Sequence, residues 1–517
     1  MLFNSLEFLF LFLPFALIGY YGLLRLGFRE WIFLFLVGAS LIFYAVWNPP
    51  YVLLLVGSMG GNYLAGLWIE GRKRAGQATG LPLTLGILGN LAVLGWYKYA
   101  NFFVDNANAL AGTDFTLQRI LLPLAISFYT LQQVAFLIDV ARDEVRPAGV
   151  WRYATFVIFF PQLIAGPIVH YREMMPQFFG RNLGRFAGAN ITIGLTIFAI
   201  GLFKKTVIAD SAALYASPVY DAAAAGDPVT LLMGWRAAIC YTLQLYFDFS
   251  GYSDMALGLA RMFGVRLPPN FHSPLRAASI LEYWRRWHMT LQQFIVAYMY
   301  TPFVLPLTRF AAERGYGKWQ TFGVTTALPS VVIFVVIGFW HGANWTFVVF
   351  GLMHGIYVAV NEFWRAYRRK ARRKVKPGTR DMVAYHLLTL LCVMLANVVF
   401  RAESVGDAVT IWTAMFRLDQ IGDLALILPA NAAELITEPF AFVLGAAALI
   451  ALFPNTQQIM GRYTPILGWS KWRDVARPVI ALTWRPTLGW AVWTGLVLFF
   501  AVAFVSRGAT EFIYFNF

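Results

Sequence analysis

Charge is scarce in this chain. Of its 517 residues only 13% are Asp, Glu, Lys or Arg, while 59% are hydrophobic and 17% aromatic, and soluble domains carry about 25% charged residues. A water-soluble fold of two or three domains is thereby excluded, and the composition is that of a polytopic membrane protein. Cysteine is equally rare: Cys240 and Cys392 both fall in apolar runs, too few for a disulfide framework or a metal cluster. Strand-like alternation over about 10 residues is missing, which argues against a barrel. The chain has no Walker lysine motif, no GxGxxG, no Gly-x-Ser-x-Gly elbow, no His-x-x-x-His and no Cys-x-x-Cys, so ATP-driven transport, a serine hydrolase and a bound metal lose support. Repeats, linkers and low-complexity segments are absent as well, and residues 1–517 read as a single integral membrane domain.

What is there is a series of apolar runs near the length of about 20 residues that a spanning helix needs. They lie near 8–24, 31–47, 51–69, 83–97, 120–140, 191–203, 321–340, 345–363, 383–399, 440–453 and 488–505. The net charge of +15 resides in short connections between these runs, the pattern of cytoplasmic loops and anionic headgroups and not of a nucleic-acid surface. Met1 to Leu13 has no basic start, and Arg25 and Arg29 follow the first run. That predicts an uncleaved first helix beginning outside, with Arg72-Lys73-Arg74, Lys204-Lys205 and the nine Lys or Arg from Arg365 to Arg380 inside, and both termini outside. Asn101 to Asp114, Arg401 to Glu438 and the aromatic end Phe512 to Phe517 are then external.

Three stretches depart from plain spans. Phe160-Pro161-Gln162-Leu163-Ile164-Ala165-Gly166-Pro167 interrupts an apolar run with two prolines and a glycine, which predicts a re-entrant element whose freed backbone groups are buried in protein or line a cavity. Phe247-Asp248-Phe249-Ser250-Gly251-Tyr252-Ser253-Asp254 predicts a Ser-Gly break, with its carboxylates orienting a histidine or capping the following helix. Ile280 to Tyr300 carries Ile280, Trp284, Trp287, Leu291, Phe294 and Tyr298 on one helical stripe, with Arg285, Arg286 and His288 off it.

The strongest chemical signal is Ile337-Gly338-Phe339-Trp340-His341-Gly342-Ala343-Asn344-Trp345. It places an ionisable ring at the end of a membrane-length apolar run, where such a group marks a functional site. A histidine in apolar surroundings is biased toward its neutral form, the state a general base needs. His288 lies on a neighbouring element and can approach it.

Together, Glu282-Tyr283-Trp284-Arg285-Arg286-Trp287-His288, Gly338-Phe339-Trp340-His341-Gly342-Ala343-Asn344-Trp345-Thr346, the Asp248 to Asp254 stretch and Gln162-Leu163-Ile164-Ala165-Gly166-Pro167-Ile168 resemble the membrane-bound O-acyltransferase family. The likeness is to its bacterial branch with alginate O-acetyltransferase membrane subunits and D-alanyl transfer proteins. The resemblance implies an all-α ring of roughly 11 transmembrane helices with re-entrant elements around a central tunnel, in the bacterial inner membrane. It implies His341 as the catalytic histidine and His288 as the second, tunnel-facing one. Trp340, Asn344, Asp248, Ser250, Asp254, Arg285 and Arg286 are the expected substrate-binding residues. The implied donor is acetyl-CoA, with no permanently bound cofactor. The implied partner is a periplasmic SGNH-type acetyltransferase or a polymer-secretion complex. A glycan or lipid transporter or flippase using the histidines as a proton relay is the competing expectation. Tyr300-Thr301-Pro302-Phe303-Val304-Leu305-Pro306 departs from the arginine-aspartate pair and glycine-glycine-asparagine turn usual in alginate-type members, which leaves the polymer open.

Overall fold

The computed structural model describes residues 1–147, 149–180, 187–370, 378–420, 440–505 and 512–513, and every regular element among them is helical. The chain opens with α1 (Phe8–Arg25), α2 (Arg29–Ala45), α3 (Pro50–Arg74) and α4 (Gly80–Ala111). Next come α5 (Ile126–Ala141) and the short helices α6 (Val150–Ile158), α7 (Phe160–Leu163) and α8 (Tyr171–Phe178). The long pair α9 (Ala187–Ala225) and α10 (Leu231–Met262) is followed by α11 (Ile280–Arg286), α12 (Met289–Glu313) and α13 (Lys318–His341). Then come α14 (Trp345–Lys370), α15 (Thr379–Arg401), α16 (Val405–Met415), α17 (Phe440–Leu452) and α18 (Leu488–Val505). Nine helices among the described residues are long and apolar enough to cross a membrane, and α5 and α17 are shorter apolar ones. The expected positions 371–377 of the inner basic cluster, 421–438 of the external connection and 514–517 of the aromatic end lie outside the described residues.

The broken segment behaves as a re-entrant element must. Residues 153–171 are buried without interruption, and the groups freed by Pro161 and Pro167 find protein partners. Phe160 N donates to Ser40 Oγ at 3.1 Å, Gln162 Nε2 to the Phe156 carbonyl at 2.7 Å and Ile168 N to Thr290 Oγ1 at 3.0 Å. Away from water each unmet group would cost several kcal/mol, on the order of a lost hydrogen bond in hydrocarbon.

Four expectations are corrected. α4 does not stop at Tyr97 but continues to Ala111; at about 1.5 Å per residue a 32-residue helix outruns a hydrocarbon core of about 30 Å, so its Asn-rich end projects as helix. Lys204-Lys205 is not a boundary, because α9 runs straight through it as a π-helical stretch, Lys204–Ala209, with both ammonium groups buried in ion pairs. α10 has no break at Ser250-Gly251; the glycine is there because α9 crosses it closely. A Cβ on Gly251 would lie 2.7 Å from the Gly201 carbonyl, and one on Gly201 2.6 Å from the Gly251 carbonyl. The Ile280 to Tyr300 stripe is not one helix but breaks at His288, whose φ of 43° is left-handed.

The second tight seam is α13 against α14. A Cβ on Gly338 would sit 2.1 Å from the Phe347 carbonyl, and one on Gly351 2.2 Å from the Phe334 carbonyl. Small residues let backbones meet where lipid offers no hydrophobic drive between helices. This seam fixes where the end of α13, and thus His341, lies.

Candidate active site

His341 is the last residue of α13 and is 4% exposed. Aromatic rings enclose it: Trp340 at 5.0 Å, Phe400 at 5.3 Å and Phe350 at 6.1 Å between centroids. Phe128 lies 6.4 Å from the His288 ring and 5.8 Å from the Trp340 ring, so two aromatic rings link the two histidines that the sequence pointed to.

His288 is 1% exposed and sits in the αL turn between α11 and α12. Asn and His enter this region more readily than bulky residues, and the turn is tied on both sides. Met289 N donates to the Asn270 carbonyl at 3.0 Å, Thr290 Oγ1 to Asn270 Oδ1 at 2.6 Å, and His272 N to the Arg286 carbonyl at 3.0 Å. Through Thr290 the same turn grips Ile168 of the re-entrant segment. Phe249 of α10 presses edge-on against the imidazole at 4.8 Å, and Phe128 of α5 lies at 6.4 Å.

Beside His288 a cavity of about 330 Å³ opens between α11–α12 and α13–α14. Trp284, Arg285, His288 and Leu291 line one wall, with Ser330, Phe334 and Ile337 opposite. Ile337 is one turn before His341 on the same helix. Arg285 stands exposed at its edge, whereas Arg286 is buried, pairs with Glu282 and does not line it. Trp284 is fixed by donating its Nε1–H to His354 Nδ1 at 3.2 Å.

The remaining expected site residues divide. Trp340 faces Phe128 at 5.8 Å and lies under the Lys98 ammonium at 5.6 Å. Asn344 spends its amide on the fold: Nδ2 donates to the Glu403 carbonyl and Oδ1 accepts from Thr346 N, both at 3.0 Å, which caps the start of α14. Asp248 and Asp254 orient no histidine. Asp248 pairs with Lys205 at 2.9 Å and accepts from Ile513 N, while Asp254 pairs with Lys204 at 2.6 Å and accepts from Thr456 Oγ1 at 2.6 Å and Gln457 Nε2 at 2.7 Å. Ser250 is buried in the same helix without a hydrogen-bond partner among the described residues. Of that motif it is Phe249 that reaches a histidine.

Two contributors were missed in the sequence. Lys98 and Tyr99 of α4 take consecutive carbonyls at the end of α13: Tyr99 Oη donates to Phe339 O at 3.1 Å and Lys98 Nζ to Trp340 O, with Ser127 Oγ also 3.2 Å from the ammonium. Ending the fourth span at Tyr97 cut Lys98 off from it; the apolar spacing that continues through Phe102 and Phe103 was the signal that the helix goes on. His354, inside the apolar run 345–363, carries no local sign of its bond to Trp284. The other three histidines are struts. His272 Nε2 donates to the Val475 carbonyl at 3.0 Å, and burial pulls its pKa down to about 4. His170 meets Tyr298, and His386 Nδ1 meets the Ala277 carbonyl.

Residues 84–405 match the family described as MBOAT, membrane-bound O-acyltransferase. The chain is 40% identical to the peptidoglycan O-acetyltransferase of Helicobacter pylori over 81% of each chain. It is 38% identical to the probable alginate O-acetylase AlgI of Azotobacter vinelandii over 88% of this chain and 85% of that one. To the teichoic acid D-alanyltransferase of Streptococcus thermophilus it is 24% identical, over 55% of this chain and 69% of that one. With the all-helical membrane architecture and the enclosed histidine pair, these matches identify the chain as a multi-pass acyltransferase of the membrane-bound O-acyltransferase family.

Proposed function

We propose that the chain transfers an acetyl group from cytoplasmic acetyl-CoA, through the space between α11–α12 and α13–α14, to a hydroxyl on the far side of the bacterial inner membrane. The acceptor is a sugar hydroxyl of a cell-envelope or exported polysaccharide, or a periplasmic SGNH-type acetyltransferase that passes the group on. The observation that carries this reading is that His288 lines a largely apolar cavity whose opposite wall, α13, ends at the buried His341, with Arg285 exposed at the cavity edge. The names of the relatives, a peptidoglycan O-acetyltransferase and an alginate O-acetylase, support acetyl as the group and a polysaccharide as the acceptor class. The basic connections support a cytoplasmic donor side and periplasmic termini.

In this mechanism the acceptor hydroxyl adds to the thioester carbonyl while His341 takes its proton. The tetrahedral intermediate then collapses, the carbon–sulfur bond breaks, and the proton leaves with the coenzyme A thiol. Alternatively the imidazole itself attacks and carries the acetyl group to the hydroxyl, the same bonds being exchanged in two steps. His288 faces the thioester from the opposite wall and donates to the developing oxyanion. Arg285 meets the coenzyme's phosphates, and the Trp284 and Trp340 rings exclude water. No Asp–Asp chemistry is required of α10.

The test is His341→Ala in inverted membrane vesicles given labelled acetyl-CoA. Because a positioned base contributes about 10²–10⁴-fold, label reaching polymer or a periplasmic partner should fall at least about 100-fold with unchanged membrane insertion. Normal transfer by the variant would overturn the assignment.

A further inference from the structure

A helix leaves its last carbonyls without donors of its own. At the end of α13 the chain does not curl back but goes extended at Gly342, so it supplies none. Lys98 and Tyr99 of α4, adjacent in sequence, fill the gap at Trp340 and Phe339, immediately before His341. Tyr99 needs no charge to do this. Lys98 brings one into the middle of a spanning helix, and no carboxylate lies within ion-pair distance of it among the described residues, unlike Lys204 and Lys205. Its ammonium has three N–H groups; Trp340 O and Ser127 Oγ engage two, and the group lies over the Trp340 ring. A lysine at that depth without a counter-ion is a costly residue, and what it supplies to the helix end is N–H donors.

We infer that Lys98 is a positioning residue for acyl transfer: its N–H groups, together with the Tyr99 hydroxyl, anchor the end of α13 and so fix where His341 stands. The inference rests on His341 being the transfer residue. The anchor ties the backbone immediately before the imidazole to α4, and its donors complement the negative end of the α13 dipole. It acts through the backbone that carries His341 and needs no contact between Lys98 and the substrate.

The experiment measures acetyl transfer from labelled acetyl-CoA in inverted vesicles for Lys98→Met, Lys98→Gln, Lys98→Arg, Tyr99→Phe and His341→Ala. Lys98→Met, of similar length and uncharged, should lower kcat at least about 10-fold while KM for acetyl-CoA stays within about 2-fold, the split expected of an interaction made only in the transition state. Lys98→Arg should recover most of the loss. Tyr99→Phe, which leaves the carbonyl adjoining His341 capped by Lys98, should stay within about 3-fold. Should Lys98→Met fail to insert, Lys98→Gln carries the test, since its shorter side chain draws the donors away from the Trp340 carbonyl; the same kcat loss is expected. Wild-type kcat in Lys98→Gln, or equal losses in Lys98→Met and Tyr99→Phe, would overturn the inference. Undiminished transfer by His341→Ala would instead sink the site assignment itself, whatever Lys98 does.

Discussion

The α9–α10 seam and the end of α13 are both polar regions buried in the same bundle, yet they are built differently. At the seam Lys204, Lys205, Asp210, Asp248 and Asp254 form closed ion pairs of 2.6–2.9 Å, backed by Thr456, Gln457 and the Ile513 backbone. At the α13 end the Lys98 amine meets only a carbonyl, a hydroxyl and a ring, and His288 nearby lines a cavity. A lysine matched by carboxylates holds two helices in register, whereas one matched only by a backbone carbonyl and a hydroxyl holds a helix end.

Substitutions can break this contrast. The largest stability effect is expected from Asp254→Ala, which strands Lys204 away from water: losing one member of a buried pair costs about 3–5 kcal/mol. The thermal midpoint of the detergent-purified protein should drop sharply, and the double variant Lys204→Met/Asp254→Leu should recover most of it. If Asp254 served the substrate instead, the double variant would fold well and be inactive. Gly338→Ala comes next. Its Cβ would collide with the Phe347 carbonyl, and forcing a methyl into packed backbone costs about 1–3 kcal/mol; both melting temperature and kcat should fall, because the seam carries His341. The smallest effect is Arg285→Gln, at the exposed cavity edge. Losing one charge-assisted phosphate contact should raise KM for acetyl-CoA about 3–10-fold, with kcat and melting unchanged.

These two regions also mark what sequence could and could not convey. The broken run around Pro161 and Pro167 and the histidine after Trp340 were legible, because proline chemistry and an ionisable group among apolar residues are local signals. The continuation of α9 through Lys204-Lys205 was not legible because a charge's counter-ion is invisible along the chain: Asp254 and Asp248 are some fifty residues away and meet the lysines through the Gly201–Gly251 crossing. The resemblance gave Asp248 and Asp254 as substrate-binding residues, and their ion pairs were hidden in the same way. The kink at His288 was hidden by an apolar stripe that continues in phase across it, since its cause is the grip of Asn270 and Thr290, not a glycine or proline. Lys98 was overlooked because its role exists only once α4 lies against the last turn of α13.

The glycine contact between α13 and α14 has a mechanical corollary. Two helices that touch backbone to backbone cannot slide or roll without collision, so they form a stiff plate carrying His341. Any widening that admits a bulky coenzyme must then come from the facing wall, where the left-handed turn at His288 joins the seven-residue α11 to α12. Because that turn is tied to Asn270 and to Ile168, a displacement of His288 would draw the re-entrant segment with it while His341 on the plate stays still.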